Sequence, residues 1–535
     1  KLTFKKLLAF MCLCLIFYPL QAQKNFKELT LEEKIGQTLF ISVDINNAEN
    51  FKNEIQQGLV GGVLIQWGNY SREETKKLIA TLQSWAKKSP NQIPLLFAID
   101  YEGGTVYSPR TLGLPFLLSN MLIAAANNYE DTQTMFFIIA QELKNLGIHI
   151  NFSPVVDVNI NPNNPIIGVR SFGSNKETVS SMGKAVINGL QKGGVVAVAK
   201  HFPGHGETSL DTHKTLTIFS GTEKEFYDVH LYPFKQAIDE GVKGILTAHI
   251  RYPFLDNKLA TYSPVILTDL LKKKLGFNGI VFTDSLDMKG ALLENISKAA
   301  ALSIKAGADV ALIARESPQK AIQTIKEKVS TVRIEEAANK VYNLKKDLNL
   351  FNQPENLPDN KVNKAFEFFA EKITSQAVTL VKNEAKLIPY IPQKEKPKLC
   401  VVFFAPTRFA NQLPYFTKPF LEKNFEVNYY NAALTPKQKD LDRAKSCISD
   451  TDLVVIGSLQ WANKEVPAQK QAIENLTKLN KNTILLSLMS PYDIKNYPQE
   501  KTVVALYGIN KFSAITAAEI ILGTKEARGN LPISF

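Results

Sequence analysis

The sequence has little cysteine, tryptophan and histidine. Its 535 residues include 4 Cys, 3 Trp and 6 His, and two of the cysteines, Cys12 and Cys14, stand near the start. Only Cys400 and Cys447 are left for the rest of the chain. Small secreted domains that rely on disulfides carry them at much higher density. We therefore expect that no disulfide framework supports this fold and that a hydrophobic core stabilises it.

Long apolar runs are also missing after residue 23, so no membrane-spanning helix is predicted there. A shorter run does stand at the start, where Lys1, Lys5 and Lys6 precede apolar residues 7–20 and the small-residue exit QAQ. This is the layout of a secretory signal peptide, which we predict for residues 1–23. We expect a protein exported to the periplasm of a Gram-negative bacterium, with no stable membrane insertion after cleavage.

The charge balance does not suggest a nucleic-acid partner. The net charge of the whole chain is +12, and without the three lysines of the leader 60 basic residues face 51 acidic ones, a net charge of +9. Acidic residues are interspersed among the basic ones, whereas nucleic-acid binders cluster their basic residues on one face. A hydrophobic fraction of 45% and a charged fraction of 21% are typical of a globular protein and exclude collagen, coiled coil and wholesale disorder.

The first part of the chain alternates short apolar runs with amphipathic stretches, as βα units do. The strand candidates are residues 37–43, 61–66, 94–100, 149–157, 195–200, 244–249, 279–284 and 309–314. Eight such units predict an α/β fold with an N-terminal TIM-type (β/α)8 barrel over residues 24–348, with its active site at the carboxyl ends of the strands. An open doubly wound sheet is the alternative.

A second domain is predicted after the barrel. Residues 349–363 contain two prolines and little apolar content, which indicates a linker. Five further apolar runs follow at 399–405, 425–430, 453–457, 483–489 and 503–507, so we predict a smaller α/β sandwich domain over residues 364–535. It has no Gly-rich phosphate loop and no paired-cysteine motif, so its sequence assigns it no chemistry.

All six histidines lie between His149 and His249, and three of them stand in KHFPGHGETSLDTHKTL, residues 200–216. Within this loop Asp211 and His213 are close enough for the carboxylate to orient the imidazole as a general acid/base. The alternative is a loop histidine capped by its neighbour. A metal site of His201, His205 and His213 is a further alternative, but their spacing matches no zinc pattern.

Asp284 ends the seventh strand candidate in GIVFTDSLDMKGA. A carboxylate delivered to the barrel mouth in this way is a candidate nucleophile. The alternative is an N-cap for the following helix, although Asp287 is better placed for a role in the first helical turn.

Four other residues at predicted strand ends or in the loops after them would suit a ligand with many hydroxyl groups: Asp100, Arg170, Lys200 and His201. Each has a structural alternative, as a member of an ion pair, a turn residue or a buried core histidine. Their joint position at strand ends favours a binding site.

The segments KHFPGHGETSLDTH, NPIIGVRSFG, IDYEGG and GFNGIVFTDSLDMKGA resemble the signature blocks of glycoside hydrolase family 3, in its β-N-acetylhexosaminidase branch. The resemblance runs from about residue 29 to 535. It implies that Asp284 is the nucleophile of a retaining mechanism and that His213 is the acid/base with Asp211 as its partner. It also implies that Asp100, Arg170, Lys200 and His201 hold the hydroxyls of the terminal sugar.

One block departs from the family pattern. Relatives read D-Q-E-G-G-R-V with a second arginine shortly after, whereas Thr105 and Ser108 stand at the two arginine positions here. Arg110 is the nearest substitute, so substrate contacts on this loop are expected to differ from the usual muropeptide contacts.

The resemblance implies an exported exo-β-N-acetylglucosaminidase that hydrolyses peptidoglycan fragments or chitin-like oligosaccharides by double displacement, without metal, nucleotide or flavin. Three alternatives stay open at this point. They are a family β-glucosidase or xylosidase with its acid/base in the second domain, a phosphorylase favoured by an uncharged histidine, and a catalytically silent sugar-binding protein. The number of subunits is not predicted.

Overall fold

Two large, mainly parallel sheets organise the part of the chain that the computed structural model describes, residues 23–106, 112–210, 215–291, 294–353, 363–461 and 465–535. The first sheet has eight strands and the second has six. A small third sheet of three strands was not predicted from the sequence.

All eight strands expected in the barrel are present. In chain order the first eleven strands are β1 (Leu39–Val43), β2 (Gly62–Ile65), β3 (Leu96–Ile99), β4 (Ile150–Asn151), β5 (Val196–Phe202), β6 (Thr217–Ile218), β7 (Gly244–Thr247), β8 (Ile250–Tyr252), β9 (Asp256–Leu259), β10 (Ile280–Thr283) and β11 (Ala311–Ala314). The large sheet has the order β10-β7-β5-β4-β3-β2-β1-β11, and its pairings are parallel. A bridge between Phe282 and Val310 joins the two edges, so the sheet is a nearly closed barrel and the prediction is confirmed.

Strand β4 is much shorter than the predicted run 149–157. The Ser153–Pro154 peptide bond is cis, and Pro154 has no amide hydrogen to continue the ladder. Pairing resumes only as a single bridge between Val155 and Lys200. The chain after β4 is therefore a long loop at the carboxyl end of the barrel.

Large apolar side chains fill the barrel interior. Phe40, Phe152 and Phe282 are fully buried, and the Phe282 ring meets the other two edge-on with centroids 5.9 and 5.4 Å away. Such edge contacts are the favoured geometry for aromatic pairs. Leu64 and Leu246 belong to the same cluster, so the barrel is a packed core with room for a ligand only at its mouth.

Helices cover the outside of the barrel. α-Helices span Leu31–Gln37, Lys52–Gln56, Arg72–Lys87, Asn120–Ala126, Tyr129–Leu146, Lys176–Lys192, Glu223–Glu225, Tyr232–Asp239, Ile296–Ala306, Pro318–Lys328 and Thr331–Asp347. Further helical turns are π-helical at Phe226–His230 and Val265–Lys274 and 3-10 at Phe26–Glu28, Ala48–Phe51, Gly168–Arg170, Ala260–Tyr262 and Leu350–Asn352. Helix starts are set by local sequence: Ser71 accepts from Glu74 N while the Glu74 carboxylate accepts from Ser71 N, a capping box.

The second sheet contains the five predicted runs and one strand that was missed. Its strands are β12 (Thr379–Asn383), β13 (Lys398–Phe404), β14 (Glu426–Ala432), β15 (Leu453–Ser458), β16 (Thr483–Ser487) and β17 (Thr502–Ala505), in the order β12-β17-β16-β15-β13-β14. Only β12 runs antiparallel to its neighbour, β17. Lys382 and Asn383 give this edge strand a polar end, so the sequence shows no apolar run there from which to predict it.

Helices also flank the second sheet. α-Helices span Asn363–Ala377, Leu413–Glu422, Gln438–Ile448, Pro467–Leu476 and Lys511–Ile521, and 3-10 turns span Thr407–Gln412, Thr477–Leu479 and Pro491–Asn496. Helix Asn363–Ala377 follows the predicted linker, of which residues 354–362 lie outside the described part of the chain. The exact domain boundaries at 348 and 364 stay predictions.

A disulfide joins Cys400 in β13 to Cys447 in the helix Gln438–Ile448. The expectation that the fold has no disulfide support is therefore wrong for this pair. The two residues are 47 apart in sequence, but the helix packs against β13 and brings their Cα atoms to 5.6 Å. Sequence spacing does not show this, because the contact exists only once the helix lies on the sheet.

Loops at the carboxyl end of the barrel hold the second domain. Asn159 and Tyr492 exchange hydrogen bonds: Nδ2 donates to the phenol oxygen and the phenol donates to Asn159 O, both at 2.9 Å. Ser119 Oγ donates to Tyr507 O at 2.6 Å. The segment 529–534 then returns to the barrel helices, where Asn530 N donates to Ala125 O and Ser174 N donates to Pro532 O, each at 3.0 Å. The second domain thus covers one side of the barrel mouth.

Residues 1–22 of the predicted leader lie outside the described part of the chain. Among the described residues, no helix has the length and apolar character that crossing a membrane requires.

Candidate active site at the barrel mouth

Four of the predicted site residues converge at the carboxyl ends of neighbouring barrel strands. Asp100 directly follows β3, Lys200 and His201 belong to β5, and Arg170 lies in a 3-10 turn of the long loop after β4. Lys200 Nζ donates to Asp100 Oδ1 at 2.7 Å, and Arg170 Nη2 lies 3.3 Å from His201 Nε2. The barrel therefore brings together residues that are up to about a hundred positions apart in sequence.

Glu102 stands at the centre of this group and was missed by the sequence analysis. Its carboxylate accepts two hydrogen bonds from Arg170, from Nε at 2.8 Å and from Nη2 at 3.0 Å, and it also pairs with Lys200. Burial favours its neutral form, but the positive charges of Arg170 and Lys200 outweigh burial and hold the pKa of Glu102 at about 2. The signal in the sequence was the position of Glu102, two residues after a strand end in IDYEGG.

The charge on Asp100 is less well stabilised. Burial, with Glu102 and Asp284 as negative neighbours, raises the pKa of Asp100 despite the ion pair with Lys200. Its side chain is 26% exposed, whereas those of Lys200 and Glu102 are almost fully buried. Lys200 and Glu102 are thus held in place, and Asp100 is the residue of this cluster that faces the open cavity.

A second carboxylate, Asp157, orients His201 in β5 and His205 in the loop after it. His201 Nδ1 donates to Asp157 Oδ2 at 2.7 Å, and the backbone N–H of His205 donates to Asp157 Oδ1 at 2.7 Å. Because the guanidinium of Arg170 has only donors, its contact with His201 Nε2 fits the tautomer with hydrogen on Nδ1. Burial and the neighbouring His201 lower the pKa of His205 to about 4.

Asp284 directly follows β10. Its Oδ1 accepts from the backbone N–H of Ser285 at 2.7 Å. Burial would raise its pKa, but the charges of His249, then His201 and Lys200, outweigh burial and lower the pKa of Asp284. A carboxylate held ionised in this way is suited to attack an electrophilic carbon.

Hydrogen bonds on both sides fix the His249 ring near Asp284. Its Nε2 donates to Ser285 O at 3.1 Å. Its Nδ1 lies 2.8 Å from Thr261 Oγ1, whose hydroxyl also contacts Ala248 O at 3.1 Å and Thr247 Oγ1 at 3.0 Å. This arrangement keeps the ring beside Asp284, whose pKa it lowers.

The N-cap alternative for Asp284 is wrong, and so is the first-turn role considered for Asp287. The next α-helix begins at Ile296, where the side chain of Asn295 accepts from Lys298 N and caps the helix. Asp287 instead accepts from Ser285 Oγ at 2.7 Å. Asp284 is thus not required to start a helix.

A cavity of about 340 Å³ opens above the apolar core of the barrel and contains both Asp100 and Asp284. Its floor consists of apolar side chains of the barrel interior, and its other walls come from Ser42 in β1, Ala314 in β11 and the loops after β2, β10 and β11. These remaining lining residues are Ser42, Leu64, Gln66, Trp67, Phe152, Leu246, Ser285, Asp287, Met288, Leu312, Ala314 and Arg315. The volume suits one sugar ring with part of a second.

Asp211 and His213, and also Ser108 and Arg110, lie outside the described residues. Their predicted roles stay predictions. The loop that leads to Asp211 and His213 is packed as far as Thr208. Asn164 Nδ2 donates to His205 O at 2.8 Å, and Gly206 lies against the backbone of Val158. Among the described residues, no group of three His, Cys, Asp or Glu side chains is arranged to hold a metal ion.

Comparisons with known proteins identify the family of the chain. Residues 30–344 match the glycosyl hydrolase family 3 N terminal domain. The chain is 28% identical over 543 residues to Beta-hexosaminidase A of Pseudoalteromonas piscicida, and the alignment covers 89% of each of the two chains. It is 27% identical over 552 residues to the Beta-N-acetylglucosaminidase/beta-glucosidase of Cellulomonas fimi, which covers 95% of this chain and 94% of that protein.

A solved structure has the same two-domain architecture. It is that of a glycoside hydrolase family 3 beta-N-acetylglucosaminidase from Paenibacillus sp. str. FPU-7, with a TM-score of 0.85 and 28% sequence identity over 95% of this chain and 99% of that one. Family match, relatives and fold lead to one conclusion: the chain is a glycoside hydrolase that belongs to glycosyl hydrolase family 3, in its β-N-acetylhexosaminidase branch.

Proposed function

We propose that the protein is an exported, retaining exo-β-N-acetylglucosaminidase that removes terminal β-linked N-acetylglucosamine from peptidoglycan fragments or chitin-like oligosaccharides. The observation that carries this proposal is the shared cavity: Asp284 is held ionised in the same mouth as Asp100, which is bound to Lys200. The names of the relatives support an acetamido sugar as the residue that is removed.

A cluster of polar residues at the ends of β3 to β5 would bind the terminal sugar: Asp100, Arg170, Lys200 and His201. Arg170, which contacts His201, has N–H donors beyond those bound to Glu102, and Asp100 presents carboxylate oxygens, so each hydroxyl can find both a donor and an acceptor. Because Glu102 and Asp157 fix these side chains, little conformational entropy is lost when the sugar binds. This matches an exo-acting enzyme that encloses one chain end.

The reaction would be a double displacement. Asp284 attacks the anomeric carbon and forms a C–O bond as the bond to the aglycone oxygen breaks, while His213 gives that oxygen its proton. His213, oriented by Asp211, then takes a proton from water, and the water oxygen displaces Asp284 from the anomeric carbon. The configuration at that carbon is retained after two inversions.

Export has two independent supports. Residues 1–23 have the layout of a secretory signal peptide. The Cys400–Cys447 disulfide is of a kind that persists in oxidising compartments such as the periplasm and is rare in the cytosol.

The direct test is the release of nitrophenol from 4-nitrophenyl β-N-acetylglucosaminide. We expect turnover by the wild type and a loss of about a thousandfold or more in Asp284→Ala. Added azide should restore release in this variant and yield the α-azide, because azide then enters from the face that Asp284 occupied. Asp269→Ala, at an exposed carboxylate paired with Lys273, is the control and should keep full activity.

The acid/base is tested with the leaving group. His213→Ala should lose far more activity on N,N′-diacetylchitobiose than on a 2,4-dinitrophenyl glycoside, whose leaving group needs no proton. Equal losses of activity on the two substrates would show that His213 is not the acid/base.

The alternatives give different results in the same assays. Preference for the 4-nitrophenyl glucoside, with little effect of His213→Ala, would indicate a β-glucosidase. Formation of N-acetylglucosamine 1-phosphate in phosphate buffer would indicate a phosphorylase. Binding without turnover would indicate a silent sugar-binding protein.

A further inference from the structure

Trp67 is an exposed aromatic side chain inside the cavity that contains Asp284. It follows β2 after Gln66, and 48% of its surface is exposed. A large aromatic side chain that is half exposed in a cavity with carboxylates is unfavourable in the empty protein, because its apolar faces stay in water. Such a position is expected where a ligand covers the ring.

The backbone under Trp67 is fixed. Gln66 N donates to Val43 O at 2.8 Å, which continues the pairing of β1 and β2, and the phenol of Tyr70 donates to Gln66 O at 3.1 Å. Gly68 lies so close to Tyr70 that a Cβ at position 68 would stand 1.8 Å from the ring. A side chain at position 68 would therefore have to displace the Tyr70 ring that is bonded to Gln66, the residue before Trp67.

The placement of Trp67 separates it from the group that binds the terminal sugar. Arg170, Lys200 and Glu102 come from the strands β3 to β5 and the loops after them, whereas Trp67 follows β2. The same cavity is also lined by Met288, after β10, and by Arg315, after β11, which pairs with Asp44 at 3.3 Å. A sugar held by the polar group with its anomeric carbon at Asp284 would leave this second wall for the next residue of the glycan.

We infer that Trp67 is the platform for the aglycone: its indole stacks on the apolar face of the pyranose ring that carries the departing oxygen. A pyranose has a face of C–H groups, and burying it against an aromatic ring removes apolar surface of both from water. The substrate class is then an oligosaccharide whose second residue is a pyranose, and not a glycoside of a small alcohol. This inference rests on the proposed function.

The kinetic test compares two substrates that differ only in the aglycone, N,N′-diacetylchitobiose and methyl β-N-acetylglucosaminide. In Trp67→Ala we expect kcat/KM to fall about tenfold or more on the disaccharide and less than about twofold on the methyl glycoside. Trp67→Phe should recover most of the loss. Tyr429→Ala, at a half-exposed ring on the edge strand β14, is the matched control and should change neither value.

The binding test does not depend on turnover. The protein has only three tryptophans, and Trp85 is buried, so the fluorescence of Trp67 can be isolated by comparison with Trp67→Phe. In an Asp284→Ala background we expect N,N′-diacetylchitobiose to change this fluorescence and to bind about tenfold more weakly once Trp67 is also replaced by Ala.

The outcomes separate the two proposals. No turnover by the wild type, with the disaccharide still bound through Trp67, would overturn the proposed function and keep the platform. Equal losses on both substrates in Trp67→Ala, or no loss on either, would overturn the platform and leave the proposed function standing. A disaccharide that binds equally well with and without Trp67 would also overturn the platform.

Discussion

Arg170 lies flat against the carboxylate of Glu102, with Nε 2.8 Å from one oxygen and Nη2 3.0 Å from the other. This two-point contact fixes the guanidinium in both position and plane, which a single hydrogen bond does not do. The side chains are 8% and 1% exposed. Glu102 is therefore the residue that sets the direction of the remaining N–H groups of Arg170.

Replacement of Glu102 by Gln is expected to harm both binding and stability. The amide keeps the shape but leaves Arg170 and Lys200 without their shared negative charge, and breaking a buried ion pair in this way costs about 3–5 kcal/mol. We expect KM to rise at least tenfold and the free energy of unfolding to fall by about that amount, measured by steady-state kinetics and urea denaturation. Glu367→Gln, at a half-exposed pair with Lys511, is the control; a Glu102→Gln enzyme with unchanged KM would contradict this role.

The acid limb of the pH profile should report the Asp284 carboxylate. Because the charges of His249, His201 and Lys200 lower the pKa of Asp284 despite its burial, the nucleophile stays ionised below the usual aspartate range, and kcat/KM should decline only at a pH below that range. His249→Gln removes the first of these positive charges, so the acid limb should move to higher pH. An acid limb unchanged by His249→Gln would show that Asp284 does not set it.

The eight barrel strands could be predicted because each is an apolar run buried on both faces, which leaves a clear pattern in sequence. The edge strand β12 could not, since one end of it is polar. Asp284 was predicted because a strand ends directly before it. Glu102 was not, because its importance comes from Arg170, 68 residues away, and only the closed barrel brings the two together.

Asp493 in the second domain predicts an unusual pH dependence of stability. Its carboxyl is 2% exposed and accepts from Ser458 Oγ and Ser487 Oγ, each at 2.7 Å. Burial raises the pKa of Asp493 from 3.8 to about 7. The neutral form is thus favoured in the folded state, and its stabilising effect is complete below about pH 4 and is lost as the pH rises to about 7.

Asp493→Asn mimics the neutral acid, and the two serine hydroxyls can rotate to accept from its amide. We expect the variant to lose the decline in stability between about pH 4 and pH 7 and to be more stable than the wild type at pH 8, by up to about 4 kcal/mol. Denaturant unfolding at several pH values measures this difference. Asp450→Asn, at an exposed carboxylate, should keep the wild-type profile.

The Cys400–Cys447 disulfide is expected to stabilise the second domain. It closes a loop of 47 residues, for which chain entropy predicts a contribution of about 2–4 kcal/mol. Addition of dithiothreitol should lower Tm by several degrees in the wild type and not in Cys400→Ser/Cys447→Ser, which should start from the lower value. An unchanged Tm on reduction would show that the bond makes no net contribution.

The contact between segment 529–534 and the barrel forms late in folding. Ser534 N donates to Ser174 Oγ across a sequence separation of 360 residues, so the two sides of this contact are made at very different times during synthesis. Contacts so distant in sequence close late, because both folded parts must exist before they can meet. The helices around Ala125 and Ser174 therefore stay uncovered while the second domain is being made.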